Sequence, residues 1–587
     1  MTSTGPVLAE PAAPGGPADR ARADTTEPRT VDAAGLRGRR VPLVTGTALG
    51  VVGAVVTLAQ PLLAGRLIAD VSAGTFGLLS VAPLMALFAI DAILSISSQL
   101  LLARASEGYV YGLRSYLISR VLRGYWPAVH GYDRGDLYSR LVVDTALSKG
   151  WIVGAIPALL SSLTMVIGCG IAMAILSLPL FLLTFAVLAL FGGAAWWTAR
   201  GVQRAATENQ EDTAGFIEGV QRMISSLVTI KASGLEAQVD ADTTGRADRA
   251  RRSGVRVLTR TAVLTPVMNV GTQAAIAVAV IAGAAFVASG SLTTAAMVSF
   301  FMYLLYIVAP LVQASSALGD IAQCRAALAR VREVGGVEQE RVRTDGDARL
   351  ATTGHARIEL GGVEIRHDES PEPLLTGIDG RFSSPGLVAL VGPNGVGKST
   401  LLWLACGLQR PTGGRVSVDG VDVAEWPVAE LRRRVVLVQQ DAAPMTGTIR
   451  DNLQFGSGDH SDGERLRLLE RVGLGPLLAR LPDGLDTGLG EGGVELSGGQ
   501  RRLLAVARAL LADPGVLLLD EFTSNVDQKG AEKLLRIARD LASDRLVIVT
   551  SHASAILNIA DRIVELTPTG LENRPAVSAV DETAGTG

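Results

Sequence analysis

The residues with the clearest chemistry lie in the stretch GPNGVGKST, which runs from Gly392 to Thr400. Its spacing is G-x-x-x-x-G-K-S, the pattern of a phosphate-binding loop. It stands between an apolar run, LVALV, and a helix-forming run, STLLWLACGL. Backbone N–H groups of such a loop turn toward phosphate oxygens, and the helix N-terminus adds partial positive charge. The stretch therefore predicts a strand, a phosphate loop and a helix in that order.

Within this loop, two side chains have predicted tasks of their own. Lys398 is predicted to reach the β- and γ-phosphates of a nucleotide, and Ser399 to ligate Mg²⁺. At average residue usage the pattern would arise by chance in about 1–2% of chains of this length, so chance is a poor explanation. The predicted nucleotide-binding residues of the loop are Gly392, Pro393, Asn394, Gly395, Val396, Gly397, Lys398, Ser399 and Thr400.

A second candidate element is VLLLDE at 516–521, an apolar run that ends in two acids. A buried strand would carry Asp520 to its tip, where the carboxylate can join the Mg²⁺ shell. Glu521 beside it can polarise a water for attack on the γ-phosphate. Alone this pattern is weak, because many strands end in acids, but it agrees with the loop.

The composition indicates a membrane segment fused to a soluble one. Hydrophobic residues make up 48% of the 587 residues and charged residues only 19%, below the quarter or so of ordinary soluble domains. The net charge of -3 and the lack of a basic face give no sign of nucleic acid as a partner. The cysteines, at Cys169, Cys324 and Cys406, are far apart and odd in number, so no disulfide framework or metal site is predicted.

Six apolar stretches in the first half of the chain are each near the roughly 20 residues that a membrane helix needs. They lie at about 41–65, 76–103, 152–176, 179–199, 261–288 and 295–318. The alternative is six buried core helices, to which we assign about one chance in twenty on the length rule. The fold class predicted is an all-α six-helix transmembrane domain followed by an α/β domain.

Charge predicts the orientation of these helices. Lys and Arg concentrate in 104–149 and 200–260, whereas the three short connections carry none. Positive loops stay in the cytoplasm, so both termini and the C-terminal half are predicted to be cytoplasmic in a multi-pass plasma-membrane protein. The two basic stretches have helical periodicity, so the membrane helices are expected to continue well into the cytoplasm.

The predicted domains follow from these patterns. They are a disordered tail at 1–40, the transmembrane domain at 41–320 with two cytoplasmic coupling loops, a linker at 321–355, a nucleotide-binding domain at 356–572 and a flexible tail at 573–587. Short apolar strands that alternate with helical stretches from about 356 onward favour an α/β architecture for the nucleotide-binding domain.

The stretch LSGGQ at 496–500, together with the two elements above, makes the chain resemble the ATP-binding cassette (ABC) transporters. The likeness extends over most of the chain. The order, membrane domain first and one P-loop NTPase domain second, resembles an exporter-type half-transporter. The stretches 132–145 and 215–236 are similar to the two coupling regions of that subfamily.

The resemblance implies further site residues. Gln440 looks like the glutamine that senses Mg²⁺ and water, so it is assigned to both the catalytic set and the metal shell. His552 looks like the switch histidine that contacts the γ-phosphate, and Asp527 like the aspartate of the loop after the second acid. His367 stands where the family often has an aromatic residue to stack on adenine. Catalysis is therefore assigned to Glu521, His552 and Gln440, and the metal to Ser399, Gln440 and Asp520.

The resemblance also implies a dimer. In the family, the signature residues Ser497, Gly498, Gly499 and Gln500 complete the nucleotide site of the partner copy, so two ATP molecules are sandwiched between two domains. The partner is expected to be a second copy or a related half-transporter. The implied function is an ATP hydrolase that exports a small hydrophobic, lipidic or peptide-like molecule. Alternatives are an importer of a siderophore-like compound and a membrane ATPase that senses or regulates.

Polar residues inside the spans are the candidates for contact with cargo. Asp91 is the best of them, because a charge in the membrane is costly and marks a functional site by default. The alternative is that Asp91 pairs within the helix bundle. The full set is Gln60, Asp91, Gln99, Asn269, Gln273 and Gln313, with Tyr303 and Tyr306 nearby.

Overall fold

The computed structural model describes residues 35–36, 38, 40–75, 77–340, 355–366, 372–441, 444–454, 460–490, 496–524, 528–551 and 554–574. The chain divides into two compact units. The first comprises Met1–Arg120 and Arg134–Gly336, and the second comprises Val121–Asp133 and Val337–Gly587. The predicted tails at 1–40 and 573–587 lie almost wholly outside the described residues.

The first unit is built from six long helices. They are α1 (Arg40–Ser72), α2 (Ala82–Leu122), α3 (Ile156–Leu176), α4 (Leu178–Ser225), α5 (Glu236–Ala288) and α6 (Thr294–Gly335). In the part of the chain that the structure describes, these are the six helices long and apolar enough to cross a membrane, which confirms the predicted fold class. Shorter helical turns lie at Leu78–Val81, Trp126–His130, Arg134–Ser139, Arg140–Asp144, Thr145–Lys149, Gly150–Ala155 and Leu227–Ser233.

Helices α4 and α5 are much longer than a bilayer requires. They contain 48 and 53 residues, or about 70–80 Å at a rise of 1.5 Å per residue. Their polar ends pair with each other, for example through Arg256 and Glu208 at 2.6 Å. Helix α6 also continues as far as Gly335, so residues 321–335 of the expected linker are helical. Residues 341–354 lie outside the described residues.

Hydroxyl groups of α6 hold α1 where a proline interrupts its backbone ladder. Pro61 lies inside α1. Ser299 donates a hydrogen bond to the Pro61 carbonyl at 2.9 Å, and the buried Tyr303 donates to the Leu58 carbonyl at 2.5 Å. Both bonds join α6 to backbone carbonyls of α1 at or near the proline.

The second unit contains two main sheets. The first has the strand order β2-β1-β4-β5 and the second has the order β12-β11-β3-β10-β9-β6. The strands are β1 (Arg357–Ile365), β2 (Leu375–Ser383), β3 (Gly386–Val391), β4 (Gly413–Val418), β5 (Val421–Asp422), β6 (Val435–Val438), β7 (Gly447–Thr448), β8 (Gly488–Leu489), β9 (Val516–Leu519), β10 (Leu546–Thr550), β11 (Arg562–Thr567) and β12 (Gly570–Arg574). The helices are α7 (Lys398–Ala405), α8 (Val428–Arg434), α9 (Ile449–Gln454), α10 (Asp462–Arg471), α11 (Gly475–Leu478), α12 (Gly498–Leu510), α13 (Gln528–Leu541) and α14 (Ser554–Leu557).

The second sheet determines where the functional residues meet. Strands β3, β10, β9 and β6 are parallel neighbours. Their interior residues are mostly buried, as the apolar runs predicted for β3 and β9. Because parallel strands end at the same edge of a sheet, the loops after these four strands come together there.

A segment that precedes the third membrane helix folds with the second unit. The backbone N–H of Tyr125 donates to Glu338 at 2.7 Å, and its hydroxyl accepts from the N–H of Arg410 at 2.9 Å. Trp126 packs edge-on against Trp403, with ring centroids 6.4 Å apart. The segment overlaps the predicted coupling stretch 132–145 only at its start, since the unit boundary falls after Asp133.

Candidate nucleotide site

The phosphate loop follows β3 and leads directly into α7, as its sequence predicted. Two glycines are needed for its geometry. Gly397, the residue before α7, has φ +104, a conformation that side chains rarely adopt. A Cβ on Gly392 would lie 2.7 Å from the Leu566 carbonyl oxygen, so no larger residue fits. The loop therefore brings backbone close to the space where phosphates would bind.

Lys398 curls back over this loop. Its ammonium group donates to the carbonyl oxygens of Gly392 at 2.9 Å and Pro393 at 2.8 Å, and the residue is buried. Burial lowers the pKa of Lys398, whereas the charges of Glu521 and Asp520 oppose that shift. The two carboxylates thus help to keep a cation beside the predicted phosphate positions.

Asp520 and Glu521 are fixed by one hydroxyl from the neighbouring strand. Thr550, at the end of β10, donates to Asp520 Oδ1 at 2.7 Å. The hydroxyl oxygen of Thr550 in turn accepts a hydrogen bond from the backbone N–H of Glu521 at 2.7 Å. Thr550 is fully buried, so water does not compete for either bond. One side chain therefore sets both the direction of the Asp520 carboxylate and the backbone of Glu521.

Glu521 has a strained backbone and a partner on the adjacent loop. Its φ is +43, which is uncommon for a residue with a side chain. Gln440, which follows β6, donates through Nε2 to Glu521 Oε2 at 2.5 Å. Strained backbone tends to occur at active sites. The structure thus brings together two of the three residues that were predicted to be catalytic.

The residues at this edge suit a hard divalent cation. Ser399 supplies a hydroxyl oxygen, Gln440 an amide oxygen and Asp520 a carboxylate oxygen, and Mg²⁺ prefers such ligands together with substrate phosphates. Asp520 is buried and directly follows β9, which is paired to the strand that precedes Gln440. The chemistry of the donor set therefore fits Mg²⁺ bound with a nucleotide.

The signature residues form the N-terminus of α12. Ser497 accepts from the N–H of Gln500 at 3.3 Å, and the Gln500 amide oxygen accepts from the N–H of Ser497 at 2.8 Å. This capping box holds Ser497 in place while its hydroxyl proton stays available to a phosphate. Ser497 is exposed. Gly498 and Gly499 open the helix behind it, where free N–H groups attract anions.

Three predicted site residues cannot be placed. His367, Asp527 and His552 lie outside the described residues. Their roles in adenine stacking, in the loop after Glu521 and at the γ-phosphate remain predictions.

The sequence did not reveal Thr550 or Arg502. Arg502 follows the signature in QRRLL and is buried. Its Nη2 donates a hydrogen bond to Ser524 at 2.9 Å. Its Nε and Nη1 have no hydrogen-bond partner within the described part of the chain. Burial lowers the pKa of Arg502, as does the charge of Arg501. Arg502 links the signature helix to the segment after Glu521. A charged residue on an otherwise apolar face of a helix is the sequence pattern that could have identified Arg502.

Comparison with known families agrees with the site. The model of the ABC transporter transmembrane region matches residues 43–311, and the ABC transporter ATP-binding model matches residues 375–524. A model of an AAA domain matches residues 494–558. The two ABC models together match more than half of the chain. The chain therefore belongs to the ABC transporter family, with a membrane domain and an ATPase domain fused in one polypeptide that couples ATP hydrolysis to transport.

Similar proteins include exporters of several kinds. The chain is 27% identical to a multidrug resistance ABC transporter ATP-binding and permease protein of Lactococcus lactis, over 90% of each chain. It is 28% identical to an ATP-dependent lipid A-core flippase of Chromohalobacter salexigens, over 78% of this chain and 79% of the relative. It is also 28% identical to a multidrug efflux ATP-binding/permease protein of Mycobacterium bovis, over 78% of this chain and 38% of the relative.

Replacement of Glu521 by glutamine should separate ATP binding from hydrolysis. Glu521→Gln keeps the size and the Gln440 contact but removes the base, so turnover should fall by a factor on the order of 10²–10⁴ while nucleotide binding persists. Lys398→Ala is the contrasting variant and should lose binding as well. ATPase rates and nucleotide binding of the purified protein in lipid check both. A normal rate for Glu521→Gln would show that another group activates the water.

The Thr550 hydroxyl should matter for the rate and not for nucleotide binding. Thr550→Val keeps the shape but leaves the Glu521 N–H without an acceptor, so kcat should fall about 10- to 100-fold with little change in KM. Thr550→Ser retains the hydroxyl and is the matched control. If valine and serine both leave kcat at the wild-type value, Thr550 does not orient the acids.

Proposed function

We propose that the chain works as a dimer that exports a small hydrophobic or lipidic molecule across the plasma membrane. ATP with Mg²⁺ would be hydrolysed at two sites, each shared between the two copies. The names of the relatives (multidrug resistance, lipid flipping and efflux) favour export over the importer and sensor alternatives. The positive loops favour cytoplasmic termini and a cytoplasmic ATPase domain.

One observation supports a nucleotide site shared between two copies. Ser497 is exposed at the start of α12, and within the described part of the chain no hydrogen bond joins it to the phosphate loop of its own domain. A triphosphate on that loop is therefore covered on one side only. A second copy, presenting its own Ser497 and Gly499, would supply donors to the uncovered side.

The tip between α4 and α5 supports the same conclusion. Around the short helix Leu227–Ser233, the side chain of Val228 is 83% exposed and that of Ile224 is 64% exposed. Apolar side chains at the end of a polar hairpin indicate a docking surface. We assign it to contact with an ATPase domain, since the stretch 215–236 resembles a coupling region.

The described residues divide the chemical work. Lys398 and the N–H groups at the start of α7 would hold the phosphates, and Glu521, steadied by Gln440, would accept a proton from the attacking water. Thr550 keeps Asp520 turned toward the metal shell. Mg²⁺, when bound, would neutralise charge on the phosphates. Contacts from both copies to the γ-phosphate would favour the closed dimer, and loss of that phosphate would release it.

Heterodimers of two inactive variants test whether the site is shared. Lys398→Ala removes the phosphate lysine, and Ser497→Glu places negative charge where phosphate is to bind. Each homodimer should lose ATPase activity by a factor on the order of 10². A heterodimer purified through two different tags places both defects in one shared site and leaves the other complete, so activity should return.

Activity of the heterodimer is measured as Mg·ATPase in lipid, with a wild-type dimer carrying both tags as the control. If each site were built within a single chain, the heterodimer would stay as inactive as the two homodimers. That result would contradict the shared site.

A further inference from the structure

Polar side chains of three helices meet inside the membrane region. Thr57 on α1 donates to Asp91 Oδ1 on α2 at 2.9 Å. Tyr306 on α6 donates to Gln60 Oε1 on α1 at 3.2 Å. Thr57 and Gln60 are three residues apart and so share one face of α1. We call Thr57, Gln60, Asp91 and Tyr306 the polar cluster.

The cluster lies within the predicted membrane spans. Thr57 and Gln60 are in the first span, at about 41–65, Asp91 is in the second, at about 76–103, and Tyr306 is in the sixth, at about 295–318.

Two groups in the cluster have unused bonding capacity. Gln60 is 2% exposed, and its Nε2 has no hydrogen-bond partner among the residues that the structure describes. Asp91 is only partly buried, and in the described part of the chain it forms no ion pair within 4 Å. An uncompensated carboxylate and a buried free donor are both costly in lipid.

A role in joining helices does not by itself explain a charged residue at position 91. Ser98 on α2 bonds the Gly46 carbonyl on α1 at 2.8 Å, and Gln99 bonds Ser95 within α2 at 3.1 Å. Neutral groups therefore suffice to join these helices and to satisfy polar residues in the same span. Asp91 adds a negative charge that the neutral Thr57 does not balance.

We propose that the polar cluster is the recognition site for lipophilic cations. The positive group of the ligand pairs with Asp91, and the free Gln60 donor bonds an acceptor next to that charge, such as an ester carbonyl. This inference rests on the proposed export function and specifies its cargo. All four residues of the polar cluster are on one chain, so cation binding can be measured without nucleotide.

Binding to the full-length protein in lipid nanodiscs, without ATP, tests this site. The probes are tetraphenylphosphonium, a cation, and tetraphenylborate, an anion of similar size. Asp91→Asn should raise the Kd for the cation at least tenfold and leave the anion unchanged, whereas Asp91→Glu should restore most of the cation affinity. Ser97→Ala, in the same helix and outside the polar cluster, is the matched control and should bind both probes as the wild type does.

Rhodamine 6G, a cation that carries an ester, tests the second contact. Gln60→Leu should weaken its binding several-fold and leave tetraphenylphosphonium binding unchanged. Equal cation affinity in wild type and Asp91→Asn, or no cation binding by the wild type, would overturn the inference. Basal ATPase activity, measured on every variant, shows that each is folded. It also keeps the outcomes separate, because failure of the shared nucleotide site would appear there and not in nucleotide-free binding.

Discussion

A phosphate loop covers a triphosphate from one side, and this constraint shapes the rest of the molecule. Lys398 and the N-terminus of α7 would approach the phosphates from one domain, while a second set of helix N–H groups lies behind the exposed Ser497. Both sets are attracted to the same kind of anion. Because the described residues show no bond between them, the second set is free to act on another copy. In the proposed dimer, nucleotide would bridge the two copies through charge-assisted hydrogen bonds that favour association, and its hydrolysis would end that association.

The membrane half contains helices that association of two ATPase domains could move. Helices α4 and α5 are far longer than a bilayer is thick, and their connecting tip exposes Val228 and Ile224. Their paired polar ends make a stiff hairpin. Such a hairpin would transmit a displacement at its tip to its membrane end, where α5 contacts α6. Export would then be a shift between two arrangements of these helices. The shift would be driven by nucleotide, because the protein would bind nucleotide with different affinity in the two arrangements.

Local sequence patterns were enough to predict helices and strands. They did not predict contacts between residues that are far apart in the sequence. The apolar runs before Gly392 and Asp520 became β3 and β9, and six apolar stretches became α1 to α6. Thr550 could not be found this way. Its role arises because β10 pairs in parallel with β9, which places Val549 beside Leu519 and Thr550 beside Asp520. The Thr57–Asp91 bond likewise depends on how two helices meet. The helical course of 321–335 was missed because charged residues there resembled a linker.

Disulfide trapping between two copies measures the shared nucleotide site most directly. One copy would carry Asn394→Cys in the phosphate loop and the other Ser497→Cys, both with Glu521→Gln to slow hydrolysis; the native cysteines are all buried. With Mg·ATP present, a cross-linked species of dimer size should form. Without Mg·ATP, the cross-link should not form. A cross-link that forms equally without nucleotide, or only between two cysteines placed in one chain, would contradict a site built from two copies.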